Sequence, residues 1–225
     1  GTPNKTNISK EGDCELCGQC IDACPVGALQ ELSVKGKGRS WQFEKVRTTC
    51  TYCGTGCNYY LNVKDKKVVS ISPCFEAPVN NKGSLCVKGR FGYEHIHHKD
   101  RLTTPLIRKN GKLEEATWEE AITLVATKFK EIKDKYGPDS LGFLSSSRCT
   151  NEENYIFQKL GRMMGTNNVD NCARVCHSAS VSGLAACYGS GAATNSFGQI
   201  PDAELLFVIG ANPYEAHPIV GLKIK

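Results

Sequence analysis

No apolar run in the 225-residue chain approaches the length of a membrane-spanning helix, which excludes a helical membrane span within it. The start, Gly-Thr-Pro-Asn-Lys, has neither a charged-then-apolar export pattern nor a twin arginine, so a soluble, cytoplasmic protein is expected. Excess charge of one sign is also missing. The 28 Lys+Arg and 23 Asp+Glu leave a net +5, scattered over small clusters at Lys35, Lys37, Arg39 and at Lys64, Lys66, Lys67. Without aromatics interleaved on a basic stripe, these read as a solvated face, and nucleic acid is not expected as a partner. No Gly-x-Gly-x-x-Gly follows a strand-like run, which argues against a nicotinamide site. No internal repeat of useful period appears.

Cysteine, in contrast, is abundant: 13 residues, nine within the first 86 positions. The chain is too long for a small secreted disulfide scaffold, and the odd count argues against a fully paired framework. Thiolate ligands for metal clusters are the leading explanation.

Three segments follow one another. Residues 1–40 are polar and cysteine-rich and end in the loop-like Lys35-Gly-Lys-Gly-Arg39. Residues 41–105 contain two β-type runs, 58–63 and 68–72, separated by Lys-Asp-Lys-Lys, which predicts a hairpin flanked by cysteines. Residues 106–225 read as α/β. Thr117 and Glu120 form a capping pair for a helix whose apolar face is Trp118, Ile122, Val125, Phe129, Ile132 and Tyr136, ended by Gly137-Pro138. A short apolar run at 141–144 opens into Ser145-Ser-Ser147. A second capped helix starts near Thr150 and closes at Gly165, and a third starts near Ser178. Leu205-Leu-Phe-Val-Ile209 has the continuous apolar character of a buried parallel strand, followed by Gly210-Ala-Asn-Pro213. In open α/β sheets ligands bind at loops after the carboxyl ends of strands. So few strands before Lys225 imply a fragment of a larger polypeptide.

Cys14-x2-Cys17-x2-Cys20-x3-Cys24-Pro25 is the ferredoxin run for a cubane iron–sulfur cluster, with a zinc knuckle as the plainer alternative. In this run the fourth cysteine normally ligates the other cluster of a pair, which places a partner motif upstream of Gly1. Cys50-x2-Cys53-x3-Cys57, with Cys86 beyond the hairpin, again suits a cubane, although zinc also accepts four such sulfurs.

Cys50-Thr-Tyr-Cys53-Gly-Thr-Gly-Cys57, Pro78-Val-Asn80, Gly83-Ser-Leu-Cys86-Val-Lys-Gly89 and His97-His-Lys-Asp-Arg-Leu102-Thr-Thr-Pro-Leu106 together closely resemble the N-terminal part of the molybdopterin oxidoreductases. Within that superfamily the chain looks like the catalytic subunit of a molybdenum- or tungsten-dependent formate dehydrogenase. The resemblance implies a fold of three parts. A ferredoxin-like module occupies 1–40, a small [4Fe-4S]-binding β subdomain 41–105, and an incomplete α/β molybdopterin-binding domain 106–225.

It also implies roles. Cys50, Cys53, Cys57 and Cys86 would bind one [4Fe-4S] cluster, with Cys14, Cys17, Cys20 and Cys24 serving the module. Lys88 would lie between the cluster and the pterin; its bland alternative is a surface lysine. Cys176, in Asp170-Asn-Cys-Ala-Arg-Val-Cys176-His177, would ligate Mo or W where other members carry selenocysteine, and His177 would handle the proton or shape the pocket. Without the resemblance, Cys172-x3-Cys176-His177 could be half a zinc site or a nucleophile pair, the zinc version being weaker because no complementary ligand pair lies nearby.

Gly210 and Asn212 would hold one guanine dinucleotide of a bis(molybdopterin guanine dinucleotide) cofactor, and Gly189 and Gly191 would face it. His95, His97 and His98 read as scaffold, while Cys74, Cys149, Cys172 and Cys187 have no ligand role. The implied reaction interconverts formate and CO2, with electrons relayed to iron–sulfur or flavin subunits. The rival readings are a nitrate reductase of the same superfamily and a non-catalytic conduit like the large iron–sulfur subunit of complex I.

Overall fold

A computed structural model of the chain describes residues 14–76 and 80–225. The chain divides into two units, residues 1–99 with 195–225, and residues 100–194.

The first unit begins with helix α1 (Gln19–Ala23), inside the first cysteine motif. Strands β1 (Glu44–Thr49), β2 (Asn58–Lys64) and β3 (Lys67–Pro73) then form an antiparallel sheet in that order. The expected β2–β3 hairpin is present. Asp65 and Lys66 turn it with φ of 50° and 60°, the positive-φ pair that matches the twist of the flanking strands. Strand β1 had no sequence signal, because Glu44, Lys45 and Arg47 obscure its β-branched residues, and it pairs as an edge. Buried Asn62 is satisfied within the sheet: its Nδ2 donates to Ser70 Oγ at 2.9 Å and its Oδ1 accepts from Ser72 Oγ at 3.2 Å. Helix α2 (Val87–Phe91) starts directly after Cys86.

In the second unit β4 (Leu106–Lys109) and β5 (Lys112–Glu115) form a hairpin around Asn110-Gly111, with φ of 51° and 83°. Helix α3 (Trp118–Tyr136) follows, capped reciprocally by Thr117 and Glu120. Strand β6 (Phe143–Ser145), helix α4 (Asn151–Met163) and strand β7 (Val169–Asn171) make a parallel βαβ unit, in which the helix carries the chain back to start a second strand in the same direction. Phe143 is its centre, 2% exposed and packed edge-on against Phe129 of α3 and Phe157 of α4. Helices α5 (Ala173–Cys176) and α6 (Ser178–Tyr188) close this unit. Helices α7 (Pro213–Ala216) and α8 (Pro218–Ile224) belong to the first unit, where Ile219 packs into a core with Cys50, Cys57, Ile71, Leu85 and Tyr93.

The run Leu205–Ile209 departs from the expected buried parallel strand. Leu205, Phe207 and Ile209 are 85%, 82% and 76% exposed, against 39% and 46% for Leu206 and Val208. The alternation is that of an extended strand, but no neighbour among the described residues completes its hydrogen-bond ladder. The apolar face of α3 likewise forms but stays largely open at Trp118, Ile122 and Val125.

Gly161 of α4 gives a test of the βαβ packing. A Cβ there would lie 2.7 Å from Val169 Cγ2 and 3.2 Å from the Phe143 ring. Alanine favours a helix by about 1 kcal/mol over glycine, but the clash falls on a β-branched strand residue that cannot swing away. Overpacking of about 1–3 kcal/mol therefore wins, and Gly161→Ala should lower the midpoint of urea unfolding.

Candidate functional site

Cys50, Cys53, Cys57 and Cys86 line one small cavity in the first unit. The loop that carries the first three is closed by a hydrogen bond from Cys50 N–H to the Cys57 carbonyl, 2.7 Å. Cys86 arrives from the other side of the hairpin, where the Asn81 side chain copies a strand. Its Oδ1 accepts from Asn58 N–H at 3.0 Å, and its Nδ2 donates to the carbonyls of Asn58 (3.0 Å) and Ser84 (2.9 Å). Asn80 adds a bond from Nδ2 to the Thr55 carbonyl, 2.9 Å, while Pro78 and Val79 of the same motif lie outside the described residues.

Burial, followed by the nearby Cys50, Cys53 and Cys86 sulfurs, pushes the Cys57 thiol up to about 12. Four thiols facing a cavity otherwise walled by Tyr52, Leu85, Gly89 and Ile219 fit a [4Fe-4S] cluster, which takes one sulfur at each corner. A single zinc requires its ligands drawn around one point, and among the described residues no three His, Cys, Asp or Glu side chains converge so closely.

In the first motif Cys14 and Cys20 are exposed, and Cys17 and Cys24 are half-buried. Cys24 has surroundings of its own. The backbone N–H of Leu29 lowers its thiol below the usual range, opposed by burial and helped by the N–H groups of Ala28, Val26 and Gly27. The partner motif is expected upstream of Gly1, and residues 1–13 lie outside the described residues.

Lys88 is exposed and stands at a junction. It lines the thiol cavity, and with Cys86 and Pro218 it also lines an adjoining groove that contains Asn212 and Glu215. Asn212 Nδ2 donates to Glu215 Oε2 at 3.2 Å. Gly210 sits nearby in sequence at φ 65° with open space where a side chain would be, as close backbone approach to a ligand requires.

Cys176, His177, Gly189 and Gly191 belong to the second unit. The carboxyl ends of β6 and β7 lie side by side, and Asn154 of α4 ties them together. Its Oδ1 accepts from Ser145 Oγ and from Asn171 Nδ2 at 3.3 Å. Cys172 N–H donates to the Ser145 carbonyl at 3.3 Å, and α5 starts there, so Cys176 ends a single turn mounted on the carboxyl end of the parallel pair. Cys176 and His177 are both exposed, and His177 Nδ1 lies 3.5 Å from Ser180 Oγ.

Gly189 ends α6 at φ 74° with open space around it, whereas a Cβ on Gly191 would lie 2.8 Å from Val181. Gly191 thus has a packing reason to be glycine. Cys172, given no role from sequence, is set apart by its neighbours: the Ser147 hydroxyl and N–H lower its thiol below the ordinary range.

His97 Nε2 accepts from Val68 N–H at 2.9 Å and His95 Nδ1 lies 2.9 Å from the Gly92 carbonyl, which makes both part of the scaffold. Sequence reasoning missed Asn81, Asn154 and Arg90. Asn81 and Asn154 carry the ordinary signature of a loop or helix-surface asparagine, and Arg90 is recognisable only through a partner 68 positions away.

These features define a redox-type protein, a cysteine-walled cluster site joined to an α/β ligand-binding unit. The comparisons agree. Residues 10–30 match the 4Fe-4S binding domain, 43–98 the molybdopterin oxidoreductase Fe4S4 domain, and 101–225 the molybdopterin oxidoreductase domain. The chain belongs to the molybdopterin oxidoreductase family, whose cofactors are [4Fe-4S] clusters and a Mo- or W-bound pterin.

It is 38% identical to "Probable oxidoreductase YjgC" of Bacillus subtilis and 37% identical to a Staphylococcus aureus protein named "Putative formate dehydrogenase". Each alignment covers 96% of this chain, which spans 26% of either relative's length. Acetylene hydratase from Pelobacter acetylenicus shares the fold, with a TM-score of 0.53 at 24% identity over 65% of this chain and 21% of that one. No helix among the described residues is long and apolar enough to cross a membrane.

If the four-thiol cavity holds a cubane, Cys53→Ser in full-length, anaerobically purified protein should remove one set of [4Fe-4S] signals from the reduced electron paramagnetic resonance (EPR) spectrum, with a matching loss of iron. An unchanged spectrum would remove Cys53 from the ligand set.

Proposed function

We propose that the chain is the N-terminal part of a formate dehydrogenase catalytic subunit that interconverts formate and CO2. The observation that carries this reading is the exposed Cys176–His177 pair on a one-turn helix at the carboxyl end of two parallel strands, where α/β proteins bind ligands. The relatives named for formate dehydrogenase support it. Cys176 would hold the Mo or W of the pterin cofactor, which when bound would supply a two-electron acceptor for formate. His177, next in the chain, accepts the proton, so that formate yields CO2, one proton and two electrons.

Lys88 places a cation between the groove lined by Asn212 and the cavity of Cys50, Cys53, Cys57 and Cys86, which favours electron density arriving at the cluster. Gly210 and Asn212 offer close backbone approach and amide hydrogen bonds to a guanine dinucleotide, and Gly189 leaves comparable open backbone in the second unit. Cys14, Cys17 and Cys20 pass electrons onward through the ferredoxin-type module to a partner iron–sulfur or flavin subunit, with Cys24 serving the neighbouring cluster.

Assays on the full-length protein test this directly. Formate oxidation with an artificial acceptor should fall to almost nothing in Cys176→Ser, and by about 100-fold in His177→Ala with the metal retained. Lys88→Ala should slow turnover while formate binding is maintained. Nitrate reduction without formate oxidation would overturn the assignment in favour of a nitrate reductase. Absence of both activities in a protein lacking Mo and W would favour the electron-conduit reading.

A further inference from the structure

Arg90 joins the two cysteine motifs, and the proposed reaction gives it no role. It is 2% exposed. Its backbone N–H donates to the carbonyl of Cys86 at 3.0 Å. Its Nε donates to the carbonyl of Cys17 at 2.8 Å, and its two terminal nitrogens grip both carboxylate oxygens of Asp22, two positions beyond Cys20, with Nη1 to Oδ1 at 3.0 Å. One residue therefore bonds directly to a cysteine of each motif. Gly18 makes room for this: it sits at φ 72°, and a Cβ there would lie 2.3 Å from Arg90 Cδ.

We propose that Arg90 and Asp22 are a positioning pair that fixes the separation of the two iron–sulfur clusters and thereby sets electron passage between them. The proposal rests on the reading that Cys14, Cys17 and Cys20 and Cys50, Cys53, Cys57 and Cys86 each hold a cluster. A guanidinium buried this deeply needs all its donors matched, and the fork of Arg on a carboxylate fixes angle as well as distance. Cys14 and Cys17 of the first motif and the Cys50–Cys57 run of the second lie on loops, so a rigid brace between the motifs determines their spacing. The pair is neutral overall, so it holds the two sites together without biasing the charge of either. The transfer moves one electron, oxidising the donor cluster by the amount it reduces the acceptor, and breaks no bond. Because tunnelling falls steeply with distance, constancy of spacing is what such a brace contributes.

Glu31 gives the module a second tie, accepting from Tyr93 Oη at 2.9 Å. Loss of Arg90 is therefore expected to loosen the spacing without detaching the module.

The test is the magnetic coupling of the two clusters in full-length, fully reduced protein, which depends on their separation and which general stabilisation does not imitate. The wild type should show mutually split EPR signals. Arg90→Ala should lose the splitting on the signal of the Cys50, Cys53, Cys57 and Cys86 cluster while every cluster keeps its full spin count. Asp22→Ala, which leaves Arg90 and its packing in place, should do the same and decides the matter if Arg90→Ala fails to assemble. Arg90→Lys, a point charge without the fork, should recover the splitting only in part.

Unchanged splitting of that signal in both alanine variants, or its absence in a wild type that carries both clusters, would overturn the proposal. A wild type whose iron content and spectrum lack one cluster would instead overturn the reading on which it rests.

Discussion

The first unit depends on thiols packed into its hydrophobic core. Cys50 and Cys57 are buried with Leu85, Ile71, Tyr93 and Ile219, and Cys53 and Cys86 close the same cavity. Without metal, burial and then the neighbouring sulfurs oppose the thiolate at Cys57 and favour its protonated form. A bound cluster would reverse that balance, because iron takes each sulfur as thiolate. The surrounding hydrogen bonds make sense in this light: the Cys50–Cys57 backbone bond, the Asn81 side chain acting as strand, and the Asn80 link to Thr55 all hold sulfur positions rather than enlarge an apolar core.

The second unit solves a different problem with the same economy. Two strands of three residues are too short to present a broad sheet, so Phe143 between Phe129 and Phe157 supplies the packing and Asn154 supplies the alignment of the strand ends. What this positions is a loop. Ser145, Ser147 and Cys172 bond across the two strand ends, and Cys176 is carried on the next turn. Cys176 and His177 are exposed, as is much of the apolar face of α3.

Much of the candidate site was legible because its chemistry is written in spacing. Cysteines at short intervals, and capping pairs such as Thr117–Glu120 and Thr150–Glu153, are local signals and the structure bears out the caps. The β4–β5 hairpin was equally legible through Asn110-Gly111, a strong turn signal that the sequence reading passed over. Arg90 and Asn81 were not legible, since a buried polar side chain is defined by distant partners and looks in sequence like any surface residue. Leu205–Ile209 failed for a related reason: its composition is that of a central strand, but no described strand pairs with it. Local chemistry could be read from this sequence; long-range partnership could not.

The account comes down to what metals the sulfurs hold. Elemental analysis of full-length protein, purified without oxygen and freed of loosely bound ions, is the most direct measurement. It should find iron in the amount required by separate clusters at the two cysteine motifs, together with one Mo or W per chain and no stoichiometric zinc. Stoichiometric zinc in place of iron would contradict the cluster assignment, and iron without Mo or W would contradict the catalytic one.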